Sequence, residues 1–146
     1  MDQQKAFDRV NYQYLSRVLE KFNLPKKFNR IIRDLFTNQR ARITDNIYMS
    51  KKFRLARGVR QGDPLSPILF ALAIKPLLAT ILKKNKCINE SIDNVQAFAD
   101  DTTILAADLS SLKNTMRIIK KYEIVSNAKA NLNKSTLIPL NNMARS

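Results

Sequence analysis

The sequence predicts an α+β domain, an antiparallel sheet covered by helices on one face, and three observations carry that reading. Apolar residues recur at helical spacing in Leu15, Val18, Leu19 and Phe22, and again past Pro25 in Phe28, Ile31, Ile32, Leu35 and Phe36. The run "ARITDNIYMSKKFRLAR", residues 41–57, sets β-branched and aromatic residues on either side of polar clusters, which is the pattern of a hairpin. A second alternating run, "VQAFADDTTILAA", is broken in its middle by Asp100 and Asp101, as a hairpin tip would break it.

In chain order, Asp2 lies on a strand remnant, followed by the two amphipathic helices. The second helix carries Lys26, Arg30 and Arg33 on its polar side, a solvated face that could also follow a phosphate backbone. The hairpin should turn near Asp45 and Asn46 or near Ser50 to Lys52. The loop "GVRQGDPLSP" holds both glycines and two of the five prolines of the chain, so its backbone needs conformations that other residues resist. A helix should run from about residue 64 to 84, capped and started by Ser66 and Pro67 and kinked near Pro76. Strands are expected at residues 95–98 and 102–106. Ser110 or Ser111 should cap a further helix, with Leu112, Met116, Ile119 and Tyr122 inward and Lys113, Arg117, Lys120 and Lys121 outward. The end, "AKANLNKSTLIPL", alternates enough for one or two short strands. No repeat or linker divides the 146 residues, which read as one domain.

Charge is the unusual feature of the composition. Lys and Arg total 26 against 12 Asp and Glu, a net charge of +14, which points to a polyanionic partner. There is no histidine and a single cysteine, Cys87. Serine-histidine triads, cysteine-histidine dyads and ordinary zinc sites are thereby excluded, and carboxylates remain as the metal ligands to consider. The first residues contain no apolar core of a secretory signal. Residues 67–82 are almost wholly apolar, but Lys75 and Pro76 interrupt them and they fall short of the roughly 20 residues a membrane span needs. A buried core helix in an intracellular protein, with no membrane partner, is the expectation.

Asp100 and Asp101 pose an energetic question, because desolvating an ionised carboxylate costs about several kcal/mol unless something pairs with it. A water-exposed turn answers it, and so does a divalent cation. The cation would call for a third carboxylate, for which Asp2, Asp8 and Asp63 are candidates.

Four stretches in order, "DQQKAFDRV", "RQGDPLSPILF", "AFADDTTIL" and "VSNAKANLNKS", resemble motifs A to D of reverse transcriptases, and the "KAFD" and "FADD" forms resemble the non-LTR, LINE-type lineage. The resemblance implies the palm of a right-handed polymerase with adjoining fingers elements, cut short of its N-terminal fingers and its thumb and inactive by itself. It implies RNA-directed DNA synthesis, with an RNA template, a DNA primer and a dNTP as partners. Asp2, Asp100 and Asp101 would be the catalytic carboxylates, holding two Mg²⁺ ions for which Mn²⁺ could substitute. Phe7 matches the residue that blocks a ribose 2′-hydroxyl. Gln61 and Gly62 match the pair lying against the incoming nucleotide. Lys134 matches a lysine that acts as a general acid or as a charge near the departing pyrophosphate. Asn127 stands where that family usually has glycine. Two other readings accompany this one: a non-catalytic nucleic-acid-binding remnant, and a group II intron type of reverse transcriptase, which shares similar boxes.

Overall fold

The computed structural model describes residues 1–85 and 94–140, so Cys87 lies outside the described residues. After strand β1 (Asp2–Gln3) comes a one-turn helix α1 (Ala6–Arg9) that the apolar spacing does not announce, and then α2 (Tyr12–Lys21). Asn11 caps α2, its Oδ1 accepting from the N–H groups of Gln13 and Tyr14 at 2.8 and 3.1 Å. The inward residues of α2 are Leu15, Val18 and Leu19, as expected. Helix α3 (Lys26–Thr37) departs from expectation: Ile32 and Phe36 are buried, whereas Phe28, Ile31 and Leu35 are exposed. Its main packing partner is α2, so one edge of a wide apolar face is covered and the rest is not. Helical spacing marks which residues could be buried together, and says nothing of whether a second neighbour exists.

Helix α4 (Ser66–Lys84) is the centre of the packing, against α2 on one side and α5 (Leu109–Ser126) on another. Its first half contributes Leu69, Phe70 and Ala73 to a cluster with Leu15, Leu19, Ile32 and Phe36. Its second half places Ile74, Leu77 and Ile81 with Val95, Ile118, Ile119 and Tyr122. By length and composition α4 could cross a membrane, but these contacts make it the expected core helix. Its start differs from expectation. The side chain of Ser66 is buried with no hydrogen-bond partner among the described residues, the N-cap position falls to Leu65 with no side-chain cap, and Asp63 accepts from the Leu65 N–H at 2.9 Å in the turn before the helix.

Pro76 sits inside α4, where it has no N–H to return to the preceding turn and its ring crowds that turn's carbonyls. The Ala73 carbonyl in that turn accepts hydrogen bonds from Tyr14 Oη at 2.9 Å and Tyr122 Oη at 3.4 Å, so α2 and α5 are both tied to the turn that the proline disturbs. The two rings also meet edge to face at 5.9 Å. Burial pushes the Tyr122 phenol up to about 12, and Tyr14, half-buried and beside Tyr122, is raised further by desolvation. Both values exceed that of an unfolded tyrosine, about 10, so ionisation favours the unfolded chain. The stability these phenols contribute is complete below pH 10 and is lost as pH rises from 10 through 12. Urea midpoints measured across that interval should therefore fall, and fall less steeply for Tyr122→Phe. That variant should also lose about 1 kcal/mol at pH 7 through its missing hydrogen bond.

Four antiparallel ladders complete the fold among the described residues. Strand β2 (Arg40–Ala41) pairs with β5 (Phe53–Arg54), and β3 (Thr44–Asp45) with β4 (Tyr48–Met49), turning at Asn46 and Ile47. Strand β6 (Val95–Phe98) pairs with β7 (Asp101–Ile104), and β1 with β8 (Ala130–Asn131). The last residues give one short strand of the one or two expected, β8, and a 3₁₀ turn (Leu132–Lys134) follows it among the described residues. Helix α5 is capped by Asp108, whose Oδ1 accepts from the Ser111 N–H at 2.6 Å, so the cap lies two or three residues before the expected Ser110 or Ser111. Its inward residues are Thr115, Ile118, Ile119, Tyr122 and Ser126, with Met116 exposed. Thr115 takes an inward place because its hydroxyl accepts from Asn85 Nδ2 at 2.6 Å, a preference that an apolar pattern ranks below methionine.

Candidate active site

Met1 and Thr102 exchange both backbone hydrogen bonds, Met1 N donating to Thr102 O at 2.6 Å and Thr102 N to Met1 O at 2.8 Å. A reciprocal pair of this kind is antiparallel, and it brings the β6–β7 hairpin beside the β1–β8 ladder, although the two remain separate two-stranded sheets. Carried one residue further, that register sets Asp2 opposite Asp101. Side chains alternate across a strand, so Asp2 and Asp101 share one face while Met1, Gln3 and Thr102 share the other. Burial agrees: Gln3 and Thr102 are buried, Asp2 is half-buried and Asp101 is exposed.

Asp100 lies in the two-residue turn between β6 and β7, after Ala99. Ala99 has φ 51°, the left-handed conformation that such hairpins normally give to glycine or asparagine. Asp2 accepts a hydrogen bond from Asn131 Nδ2 at 3.0 Å across the β1–β8 ladder. The carboxylates of Asp2, Asp100 and Asp101 form no ion pair with any described residue, and the described side chains do not include a group of three already gathered at metal-holding distance. Of the other candidate third carboxylates, Asp63 is engaged in the turn before α4, and Asp8 is exposed and accepts from Gln61 Nε2 at 3.4 Å.

The glycine loop is docked on α1. Gly58 N donates to Val10 O at 2.9 Å, Val59 N donates to Phe7 O at 2.8 Å, and Tyr12 Oη donates to Gly58 O at 2.9 Å. A Cβ on Gly58 would stand 3.0 to 3.2 Å from the Asp8 backbone, and its φ is +95°. Gly62 has φ +87° with open space on its Cβ side. Gln61, beside it, is exposed. Phe7 is half-buried and stacks on Phe70, ring centroids 5.1 Å apart. The loop and the aromatic ring are therefore carried on α1 and α4, next to the strand that bears Asp2.

On the far side of β1, Lys134 is exposed in the 3₁₀ turn, and Asn127 ends α5 with φ 63°. Asparagine tolerates that conformation better than most residues, so the departure from glycine leaves the turn intact. Arg9 Nε donates to the Asn127 backbone O at 2.8 Å, and the asparagine adds a return bond, its Nδ2 donating to Arg9 O at 3.2 Å. Asn127→Ala should cost about 1–2 kcal/mol, from left-handed strain together with the lost side-chain bond, whereas Asn127→Gly keeps the turn and the Arg9 bond to its carbonyl and loses the side-chain bond alone. Urea denaturation of the two variants checks that ordering.

The reverse transcriptase (RNA-dependent DNA polymerase) family matches residues 1–142. The chain belongs to the reverse transcriptase family. It is 33% identical over 140 residues to the transposon TX1 uncharacterized 149 kDa protein of Xenopus laevis, covering 93% of this chain and 11% of that one. It is 35% identical over 107 residues to the Pol polyprotein from the type-2 retrotransposable element R2DM of Drosophila melanogaster, covering 73% and 10%. A Pol polyprotein from the type-1 retrotransposable element R2 of Nasonia vitripennis is 32% identical over 122 residues, covering 82% and 12%. The chain thus spans about a tenth of the length of these curated relatives. They agree with the LINE-type lineage to which the "KAFD" and "FADD" boxes point.

Within this reverse transcriptase domain, sequence reasoning passed over three residues at the site. Phe98 faces Asp101 in the β6–β7 register and is 87% exposed, on the same face as the carboxylates. Strand alternation through "QAFADD" carries that signal. Asn131 and Arg9, which hold Asp2 and Asn127, depend on long-range register, for which the local pattern holds no signal.

Proposed function

We propose that this reverse transcriptase domain is the palm of a LINE-type RNA-directed DNA polymerase, in which Asp2, Asp100 and Asp101 hold two Mg²⁺ ions, with Mn²⁺ as a substitute. The observation that carries the reading is the opposition of Asp2 and Asp101, neither of them ion-paired among the described residues, in a chain of net charge +14. Like charges directly opposite on neighbouring strands repel. Among the described residues no lysine or arginine is set against these two, which leaves their charge open to a cation from solution. The donor set, carboxylate oxygens with no histidine or thiolate, fits a hard divalent ion. When bound, such ions activate a primer 3′-hydroxyl and neutralise charge on the departing pyrophosphate.

The chain's own residues supply the rest. Phe7, held by Phe70, presents its open side where a ribose 2′-hydroxyl would clash, so a deoxynucleotide is accepted. Gln61 offers a flat amide to the nucleotide, and the open Cβ side of Gly62 lets the ligand approach the backbone. Lys134 stands as the proton donor or counter-charge for pyrophosphate. RNA template and DNA primer lie on the exposed face that carries Phe98 and Asp101.

Primer extension tests this in a chimera whose R2DM protein carries the matching segment of this chain. It should make cDNA on an RNA template with Mg²⁺ and dNTPs, and Phe7→Val should raise ribonucleotide incorporation by at least about tenfold, the loss of a steric exclusion on the order of 1.4 kcal/mol. A folded chimera that binds RNA and makes no cDNA would favour the non-catalytic binding reading instead.

A further inference from the structure

We infer that the hairpin of β2 to β5 is a docking site for single-stranded RNA, separate from the carboxylate face. Residues 40–60 contain seven lysines and arginines against one carboxylate, Asp45. Within the β2–β5 ladder Arg40 stands directly opposite Arg54, a like-charge pair that costs stability unless an anion lies across it. No cation of this hairpin forms an ion pair among the described residues. The base is firmly held, Arg54 Nη2 donating to Thr37 O at 2.9 Å and Leu55 N to Gln39 O at 2.9 Å. The far end is the reverse. Its two-residue turn consists of Asn46, at φ 38°, and Ile47, which is 90% exposed, and Tyr48, the first residue of β4, is 80% exposed.

Turn positions favour glycine, asparagine and serine, so turn geometry does not account for an isoleucine and a tyrosine held in water there. A polynucleotide accounts for both features. Its phosphates meet the cations along the ladder, and its unstacked bases offer faces to Tyr48 and Ile47. A second copy of this chain would cover the tip as well, but a symmetric contact brings the same cations together, and charge opposes it. Single-stranded rather than duplex RNA is chosen because a base face is open to an aromatic ring only when unpaired.

The test is fluorescence anisotropy of the chain with a 20-nucleotide mixed-sequence RNA, in EDTA from 50 to 200 mM KCl, so that it reads the hairpin independently of any metal at the carboxylates. Replacing Arg40, Lys51 and Lys52 together with alanine should lower the slope of log affinity against log salt by about 2, the share of three phosphate contacts on a single strand. Replacing Ile47 and Tyr48 together with serine should weaken binding by roughly tenfold and leave that slope unchanged. A charge-matched control, Lys113, Lys120 and Lys121 to alanine on the exposed face of α5, should weaken binding less than either. All replaced side chains are exposed, so unchanged urea midpoints confirm intact folding. The inference is overturned if the parent does not bind the RNA, or if either hairpin variant binds no worse than the control. It is equally overturned if sedimentation shows the hairpin variants converting a dimer to a monomer at unchanged RNA affinity.

Discussion

Replacing Asp101 with asparagine should make the metal-free chain slightly more stable and abolish its response to Mg²⁺. In EDTA the variant relieves the repulsion between facing carboxylates, a gain of about 1–3 °C in Tm for a chain of this size. In 10 mM MgCl₂ the parent should gain stability as the ion binds the folded state, and the variant should not. The opposite signs matter. A carboxylate that merely solvated a turn would give a neutral or destabilising substitution and no Mg²⁺ dependence in either protein. In the R2DM chimera the same change should lower the rate of cDNA synthesis by at least about a hundredfold, the size expected when one preorganised charge is removed from a reacting phosphoryl group. Thermal unfolding and primer extension therefore read one residue in two independent ways.

The largest structural effect should come from Gly58→Ala. Its new Cβ would meet backbone atoms of Asp8 at 3.0 to 3.2 Å, atoms that cannot turn aside as a side-chain tip can, and φ +95° is strained for any L side chain. Strain and forced separation together should cost about 2–4 kcal/mol. The loss should reach the site, since Gly58 and Val59 tie the glycine loop to the backbone of α1, and Phe7 and Gln61 sit on either side of that seam. Gly62→Ala, with similar φ and open space, should cost about 1 kcal/mol from strain alone. Urea unfolding of the pair separates the two contributions, and equal losses would refute the close approach at Gly58.

The contrast between those glycines shows where local pattern runs out. The sequence marks the loop, because both glycines fall in ten residues, but a glycine needed for φ > 0 and one needed for contact look identical until the partner backbone is known. The same holds at the carboxylates. The doublet and its hairpin are legible from alternation, yet the neighbour of β7 is Met1, a hundred residues away, and no periodicity encodes that register. Asn127 was legible as a departure from glycine, and its φ of 63° was in reach of asparagine's known tolerance, but its exchange with Arg9 was not. The two helix starts differ in kind. Ser110 is a good cap by type, but Asp108 is as good and stands where the chain turns, whereas α4 starts after Leu65 with no side-chain cap, its first turn prepared by Asp63 one turn earlier. On α3 and α5 the apolar pattern ranked residues by what they could bury, while packing partners decided what was buried.

If Asp2, Asp100 and Asp101 together hold a cation, Mn²⁺ titration of the isotopically labelled chain should broaden backbone amide signals saturably around Asp2, Asp100, Asp101 and Asn131, with the broadening displaced by excess Mg²⁺ and absent from Asp101→Asn. Broadening that is centred elsewhere, or that persists unchanged in Asp101→Asn, would contradict it.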